Sequence, residues 1–458
     1  MLNCYTKTSS NQTIPIISII ADQFNTWLSS QSINIKNWIT VTNFIAKPET
    51  YCLIPDATGG LAQVLIGIKN AEDFWPFGML PTALPKNIYR IENITDKNIL
   101  NRAAIAWGLG AYQFTRYKQP SKTIAELFLS DNHNQAFIEN TVNAVYLVRN
   151  LTNTPTEDMG PAELAHAAVE LAKHHNAAIV QIIGDDLLKN NYPTIHAVGR
   201  ASPRVPRLID LRWGDMSHPK ITLVGKGVCF DSGGLDLKTA SGMLLMKKDM
   251  AGAAHALGLA QMIMQANLPV RLRVLIPAVE NVVAGNAYKP GDIIRTRKGI
   301  TVEVGNTDAE GRMIVCDALT EAASENPKLI IDFTTLTGAA RVAVGTEISA
   351  MFTDHEELAQ QLQQHGVQEQ DPVWRLPLYA PYRKLIDTPY ADMNNSGNSP
   401  YAGAITAGLF LKEFVPAEIP WVHLDFMGWN ISARPGRPEG GEAMSIRAVF
   451  SYLATTYK

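Results

Sequence analysis

The sequence lacks three features that would assign a protein to a class at once: paired cysteines, long apolar runs and an excess of charge of one sign. Its four cysteines, Cys4, Cys52, Cys229 and Cys316, form no CxxC pair and follow no regular spacing. This pattern argues against a disulfide framework or a cysteine-based structural zinc site. It fits a reducing compartment, so we expect a cytoplasmic location.

No stretch approaches the roughly 18 uninterrupted apolar residues of a membrane-spanning helix. The apolar run from Ile14 to Ile20 contains Pro15 and Ser18 and follows no basic cluster, so no signal peptide is expected. The formal net charge of −3 gives no whole-chain argument for nucleic acid or an anionic membrane. We therefore expect neither of them as a partner.

The length of 458 residues exceeds what one ordinary core organises, and 46% of the residues are apolar, which is ample for two domains. We predict a small N-terminal α/β domain over 1–135, with a strand at 63–69 and a helix at 98–117. A linking helix and loop over 136–160 follow, in which Asn153-Thr-Pro155 and Gly160-Pro161 end the helix. The remainder, 161–458, is predicted to be the second and larger domain.

The pattern beyond Pro161 is regular. A helix to His175 is followed by β-rich apolar runs at 178–184, 208–213, 221–228, 272–279, 329–333 and 421–426. Helix-like segments lie between several of them, at 251–265, 309–324 and 404–414. Near-continuous apolar strands that alternate with helices predict an α/β fold with a mostly parallel sheet flanked by helices.

Polar clusters follow two of these predicted strands, at the ends where open α/β sheets bind ligands. The first is VGKGVCFDSGG (224–234), followed by Lys238 and by MKKDM (246–250). The second is EVGNTDAEGR (303–312). Both are unusually rich in charge and glycine for a region that is otherwise apolar.

Each of these residues alone has an ordinary structural explanation. Asp308 and Asp249 each precede a predicted helix and fit an N-cap, and Gly233-Gly234 fits a tight turn. Lys226 lies between two glycines, but the G-x-x-x-x-G-K-[ST] spacing of a phosphate-binding loop is absent.

The combination favours a functional site. If the strands are neighbours, four carboxylates and three cations converge: Lys226, Asp231, Lys238, Asp249, Asp308, Glu310 and Arg312. Such a cluster cannot be buried without strict charge compensation. No HExxH zinc motif is present.

These segments resemble the leucine aminopeptidase (cytosol aminopeptidase) family of two-metal peptidases. The resemblance rests on VGKGVCFDSGG, on the Lys238 and Asp249 that follow it, and on NTDAEGR (306–312). Further similar segments, such as RNLTNTP (149–155) and TLTG (335–338), extend it over roughly residues 145 to 450. One departure is Ala251, where the family usually has glycine.

The resemblance implies a role for individual residues. By it, Asp231 and Glu310 bridge two metals, Lys226 and Asp249 complete one site, and Asp308 completes the other. Lys238 and Arg312 match the two catalytic positions. Further residues match positions around the substrate: Met246, Asn306, Thr335, Leu336 and Gly338.

The resemblance also implies an activity, cofactors and an assembly. The implied activity is that of a metal-dependent aminopeptidase, which releases Leu- or Met-like first residues from short peptides. The implied cofactors include a bicarbonate held by Arg312, and the implied assembly is a homohexamer. The expected metals are Mn²⁺ or Zn²⁺, with Mg²⁺ and Co²⁺ as alternatives.

Two other functions stay open at the level of sequence. The same carboxylates would serve another two-metal hydrolase, such as a dipeptidase or a phosphoesterase. A DNA-binding accessory role is the alternative of a different class, because some bacterial members of the family act that way. The overall acidity of the chain gives that role no support.

Overall fold

The computed structural model describes residues 2–8, 13–120 and 122–458, and in it the chain forms two units. The first unit ends at Tyr146 but also includes the later segment Ser432–Glu439. The second comprises Leu147–Ile431 and Gly440–Lys458. No sequence pattern predicts the return of Ser432–Glu439 to the first unit. The boundaries at 135 and 160 remain a prediction.

The first unit is built on a six-stranded sheet, which confirms the predicted α/β class. Its elements are β1 Tyr5–Thr6, β2 Ile14–Ile20, α1 Phe24–Ser29, α2 Ile33–Thr42, β3 Tyr51–Pro55, β4 Leu61–Ile68, β5 Ile88–Ile91, α3 Lys97–Gly110 and β6 Glu126–Phe128. The strand order is β1-β6-β5-β2-β4-β3, and only the β3–β4 pair is antiparallel. Helix α3 is shorter than the predicted 98–117, since it ends at Gly110, a residue of low helix propensity.

Helix α4 (Gln135–Asn153) contains the boundary between the units. The second unit then continues with α5 Pro161–His174, β7 Ala178–Ile183, α6 Asp186–Lys189, α7 Pro193–Gly199, β8 Arg207–Trp213, β9 Lys220–Gly225, β10 Gly227–Asp231, α8 Ala240–Met243, α9 Ala251–Gln265, β11 Arg271–Asn281, β12 Ile293–Arg295, β13 Thr301–Glu303, α10 Glu310–Ser324, β14 Leu329–Thr334, α11 Gly338–Val344, β15 Ser349–Phe352, α12 Glu356–Gln368, β16 Val373–Arg375, β17 Met393–Asn394, α13 Gly403–Lys412, β18 Trp421–Asp425, β19 Trp429–Asn430, β20 Gly440–Gly441 and α14 Ile446–Thr456.

A nine-stranded sheet organises the second unit, in the order β16-β15-β18-β14-β9-β11-β8-β7 with β10 beside β11. The central neighbours β18, β14, β9 and β11 are parallel, whereas β7, β8 and the β15–β18 pair are antiparallel. Apolar side chains of the strands, such as Val224, form a core with apolar side chains of the helices, such as Ile314 and Phe410. The predicted mostly parallel sheet flanked by helices is confirmed.

The register of the central strands brings several chain segments to one edge. Gly225 at the end of β9 pairs with Phe333 in β14, and Thr334 pairs with Asp425 at the end of β18. Asp231 at the end of β10 pairs with Asn281 at the end of β11. Because these strands are parallel, the residues that follow them meet at the same edge.

The predicted single strand over 221–228 is two strands, because the chain leaves the sheet at Lys226. The backbone N–H of Lys226 donates to Phe333 O (3.0 Å), and its carbonyl accepts from Ala253 N (2.8 Å). Beyond it, β10 pairs with β11. The interruption therefore fixes the backbone of Lys226 from both sides.

Among the described residues, no helix combines the length and the hydropathy that crossing a bilayer requires.

Candidate metal centre

Three of the predicted carboxylates converge at the edge of the sheet. Asp231 comes from the end of β10, Asp308 precedes α10, and Glu310 is its first residue. One oxygen from each lies within 4.8 Å of the others. Residues far apart in sequence thus form a compact set of oxygen donors, which is the arrangement that binds divalent cations.

Lys226 connects this set to the fourth carboxylate. Its Nζ lies 2.8 Å from Asp249 Oδ2 and 2.9 Å from Glu310 Oε1, and all three side chains are buried. Asp249 is held from its other side by the hydroxyl of Thr335, which donates to Oδ1 at 2.7 Å. Lys226 and Asp249 therefore lie together on one side of Glu310.

Lys238 occupies the other side of the cluster. Its Nζ lies 2.8 Å from Asp231 Oδ2 and also forms an ion pair with Asp308. The second oxygen of Asp231 accepts hydrogen bonds from Asn281 Nδ2 (2.8 Å) and from the backbone N–H of Gly233 (2.9 Å). Asp231 is thus oriented by donors that leave its position little freedom.

Neither Asp308 nor Asp249 is a helix cap. Helix α10 begins after Ala309 and α9 begins after Met250, and neither helix has a side-chain hydrogen bond at its N-cap. The cap explanation for these two carboxylates does not hold, so their position in the cluster needs another one.

The electrostatics of the cluster show how costly these charges are without further compensation. Burial raises the pKa of Asp231 to about 6, and repulsion from Asp249 adds to the effect. Burial, together with repulsion from Asp231, raises the pKa of Glu310 well above its ordinary value. Burial also acts to lower the pKa of Lys226, but attraction by Asp249 and Glu310 raises it overall.

One buried carboxylate oxygen of the cluster, Glu310 Oε2, has neither a hydrogen-bond donor nor an ion pair among the described residues. Asp249 Oδ2 and Asp308 Oδ1 are held only by the ion pairs with Lys226 and Lys238. Unsatisfied buried oxygens are rare and call for an explanation such as a bound ion. The residues therefore fit a centre of divalent cations.

A cavity of about 390 Å³ opens onto the cluster. Four of the five residues predicted to lie around a substrate line it: Met246, Thr335, Leu336 and Gly338. The fifth, Asn306, is exposed and is not among the lining residues. Its side chain instead accepts from the backbone N–H of Asp308 at 2.7 Å, so it shapes the loop that holds that carboxylate.

Arg312 also lies outside the cavity lining. It is buried two residues after Glu310 in α10, and its guanidinium donates to Asn395 O at 2.7 Å. Burial lowers its pKa to about 10, so the group stays cationic at neutral pH. It therefore contributes positive charge next to Glu310.

Two cations in the lining were not singled out from the sequence. They are Lys248, which directly precedes Asp249, and Arg341 in α11. Burial lowers the pKa of Lys248 to about 7. The only sequence signal for Lys248 was its place in MKKDM, and Arg341 follows Gly338 by one helical turn.

The site depends on close backbone packing at Gly252, and we predict that Gly252→Ala destabilises the second unit. A Cβ there would lie 2.1 Å from Phe333 O and 2.9 Å from Lys226 N, so strand and helix must move apart. Overpacking of this kind costs about 1–3 kcal/mol, and calorimetry should show a lower melting temperature. Gly285→Ala is the matched control, because nothing lies within 4 Å of its Cβ position. Equal melting temperatures for the two variants would contradict the prediction.

Family models match both parts of the chain. The catalytic domain of the cytosol aminopeptidase family matches residues 146–450, and the N-terminal domain of the M17 aminopeptidases matches residues 14–130. The first match alone covers about two thirds of the chain. Both family models therefore describe one type of enzyme.

Individual relatives agree with the family models. A probable cytosol aminopeptidase of Stenotrophomonas maltophilia is 40% identical over 338 residues, which are 72% of this chain and 68% of the relative. The crystal structure of cytosol aminopeptidase from Coxiella burnetii is 49% identical, covers 100% of both chains and has a TM-score of 0.97. The bottromycin maturation enzyme BotP, in complex with Mn, is 29% identical with a TM-score of 0.87 and covers 97% of this chain and 99% of its own. With the geometry of the cluster, these matches show that the chain belongs to the cytosol aminopeptidase family and is a metal-dependent aminopeptidase of the leucyl type, a metallo-exopeptidase.

Proposed function

We propose that the chain releases the first residue of short peptides at a two-metal centre formed by the carboxylate cluster. The observation that carries this proposal is the convergence of Asp231, Asp308 and Glu310 within 4.8 Å beside a cavity, with the buried Glu310 Oε2 left without a donor among the described residues. Five residues are proposed to hold the ions: Lys226, Asp231, Asp249, Asp308 and Glu310.

The ligands divide between two positions. Lys226 and Asp249 would bind one ion, Asp308 the other, and Asp231 and Glu310 would be shared. Two such ions supply an activated water and polarise the carbonyl of the scissile bond. Lys226 can ligate only as a neutral amine, so metal binding must displace the proton that Asp249 and Glu310 now stabilise. Mn²⁺ and Zn²⁺ are the proposed metals, with Mg²⁺ and Co²⁺ as alternatives; BotP, solved in complex with Mn, supports the first.

Lys238 and Arg312 are the proposed catalytic groups. Lys238 is partly exposed to the cavity, and its ammonium can donate to the oxygen that gains negative charge as the carbonyl is attacked. Arg312 is proposed to hold a bicarbonate ion, which would supply a proton carrier to the site when bound. Its buried cationic guanidinium beside Glu310 supports this role.

The lining of the cavity supports a preference for Leu- or Met-like first residues. Met246 and Leu336 supply apolar surface, and Thr335 and Gly338 complete the wall. Apolar surface of this kind favours apolar first residues, because burying their methylene groups stabilises the complex.

Hydrolysis of amino-acid α-amides tests the function directly. Leucinamide is expected to release ammonia when the demetallated chain is refilled with Mn²⁺ or Zn²⁺, and bis(p-nitrophenyl) phosphate is expected to remain intact. Cleavage of the phosphodiester without cleavage of the amide would overturn the peptidase assignment in favour of a phosphoesterase.

A cytoplasmic homohexamer is the proposed state of the protein, and it carries a prediction. Light scattering is expected to give about six times the chain mass of 50.2 kDa. Exposed apolar side chains on the second unit, Val342, Tyr390 and Tyr401, support burial in an assembly. In the proposed hexamer the sites face an enclosed space that admits peptides, so casein should resist digestion while di- and tripeptides are cleaved. A stable monomer with full activity would refute the assembly.

A further inference from the structure

Two cations in the cavity lining have no partner within the described part of the chain. Lys248 is 1% exposed, and its ammonium makes no hydrogen bond there. The side chain of Arg341 likewise forms no ion pair or hydrogen bond with a described residue, and it is half-buried. The two side chains line the same cavity as the carboxylate cluster.

Both cations belong to the segments that form the substrate side of the cavity. Lys248 lies in the short helical turn Met246–Met250, between Met246 and Asp249. Arg341 lies one turn after Gly338 in α11, and a guanidinium nitrogen is 3.5 Å from the position a Cβ on Gly338 would take. They are therefore placed next to residues proposed to contact the substrate.

The carboxylates that line the cavity already form ion pairs with other lysines. Asp231 and Asp308 pair with Lys238, while Asp249 and Glu310 pair with Lys226. The nearby Asp425 accepts hydrogen bonds from the backbone of Leu336 and Thr337 and from the Thr337 hydroxyl. Asp249 and Asp425 attract Lys248, and Asp425 attracts Arg341, but none of these carboxylates makes an ion pair or a hydrogen bond with either cation within the described residues.

A purely structural role does not explain Lys248. A buried ammonium without a hydrogen bond is unfavourable, and an apolar side chain of equal length would pack there at lower cost. When two divalent ions balance the four carboxylates, the cations of the lining also leave an excess of positive charge. A negatively charged group that enters the cavity would accept a hydrogen bond from the Lys248 ammonium and would balance the excess positive charge.

We propose that Lys248 and Arg341 bind a carboxylate group of the peptide substrate. The proposal rests on the aminopeptidase function proposed above and names the substrate class of the same site. A glutamate in first position could supply the group, because its whole side chain has about the length of a Met side chain and its two methylene groups would contact Met246 and Leu336. The C-terminal carboxylate of a dipeptide is the other source, with the same chemistry.

Paired substrates that differ only in charge distinguish the two sources. With Mn²⁺-loaded protein, two ratios of kcat/KM are measured. The first is that of glutamic acid α-amide to glutamine α-amide, and the second is that of Leu-Gly to Leu-Gly-amide. Lys248→Met keeps the length of the buried side chain and removes its charge. We expect one of the two ratios to fall about 10- to 100-fold in this variant, the range of a charge-assisted hydrogen bond. A fall in the first ratio identifies the side chain as the source, and a fall in the second identifies the C-terminus.

Lys247→Met is the matched control. Lys247 is the neighbouring lysine, but its ammonium donates to Asn153 O (2.8 Å), lies over the ring of Trp429 and is not part of the cavity lining. Both ratios should stay within about twofold of wild type in this control. Arg341→Gln, at a half-buried position, is a second variant that preserves the fold and should lower the same ratio as Lys248→Met.

Three results would overturn the proposal. One is an unchanged pair of ratios in both Lys248→Met and Arg341→Gln while leucinamide is still hydrolysed. Another is a loss of metal below two ions per chain in Lys248→Met, since that would place Lys248 in the metal centre. The third is wild-type protein that hydrolyses none of the amides, which would refute the aminopeptidase function itself and is recognised by the absence of any leucinamide turnover.

Discussion

Exhaustive removal of metal is expected to abolish amide hydrolysis and to loosen the second unit around the cluster. Lys226 and Lys238 are the cations that pair with the four carboxylates of the centre. The raised pKa values of Asp231 and Glu310 show that the remaining repulsion and burial are unfavourable. A ligand at 100 times its Kd stabilises the folded state by about 2.7 kcal/mol. Loss of two ions should therefore lower the melting temperature by several degrees.

The measurement combines activity, calorimetry and hydrogen exchange. Exchange should accelerate in the segments that supply ligands, 226–234, 246–250 and 306–312, and remain slow in β9, β11 and β14. Chelator saturated with Mn²⁺ before use is the control for effects of the chelator itself, and added Mn²⁺ should restore turnover. Full activity in protein that holds no metal would falsify the two-metal centre.

Lys238→Ala is expected to lower kcat by about 10²- to 10³-fold, as the loss of one donor to a developing oxyanion does. The ammonium lies between Asp231 and Asp308, where it faces the cavity rather than the interior. Because the contact forms as charge develops on the substrate, kcat and kcat/KM should fall together while KM stays nearly constant.

Metal content separates this role from a structural one. The variant should retain two ions per chain by elemental analysis, because the five proposed ligands are intact. Lys247→Ala, which removes a neighbouring ammonium outside the cavity lining, is the matched control for the loss of a positive charge. Loss of an ion from Lys238→Ala, or a rise in KM with unchanged kcat, would contradict the proposed role.

The sequence predicts the sheet of the second unit well because its strands are apolar runs separated by helices, and local pattern decides both. Helix α9 is predicted at 251–265 and observed as Ala251–Gln265. The sequence does not predict the break at Lys226, since the run 221–228 is β-prone throughout apart from that lysine and the glycines beside it. The break depends on hydrogen bonds to Phe333 and Ala253, which are distant in sequence.

The cluster itself is predictable for a different reason. Parallel strands deliver their carboxyl ends to one edge, so polar residues after each strand must meet there. The unpartnered Lys248 and the cavity-lining Arg341 are not predictable in the same way. A lysine next to an aspartate in a sequence is normally expected to be exposed to solvent. Lys248 is buried only because of the way Met246–Met250 packs. The absence of a partner is a property of three-dimensional surroundings that no local pattern contains.

The segment Ser432–Glu439 has a consequence for biosynthesis. After Tyr146, the ribosome synthesises the whole of Leu147–Ile431 before it adds Ser432–Glu439, the last residues of the first unit. They are packed closely there: the backbone of Gly436 lies against Gly78, and the Arg437 guanidinium is 3.9 Å from the centre of the Trp75 ring. Domains generally fold as their chain emerges, but this unit, although encoded first, is completed among the last parts of the protein to be translated.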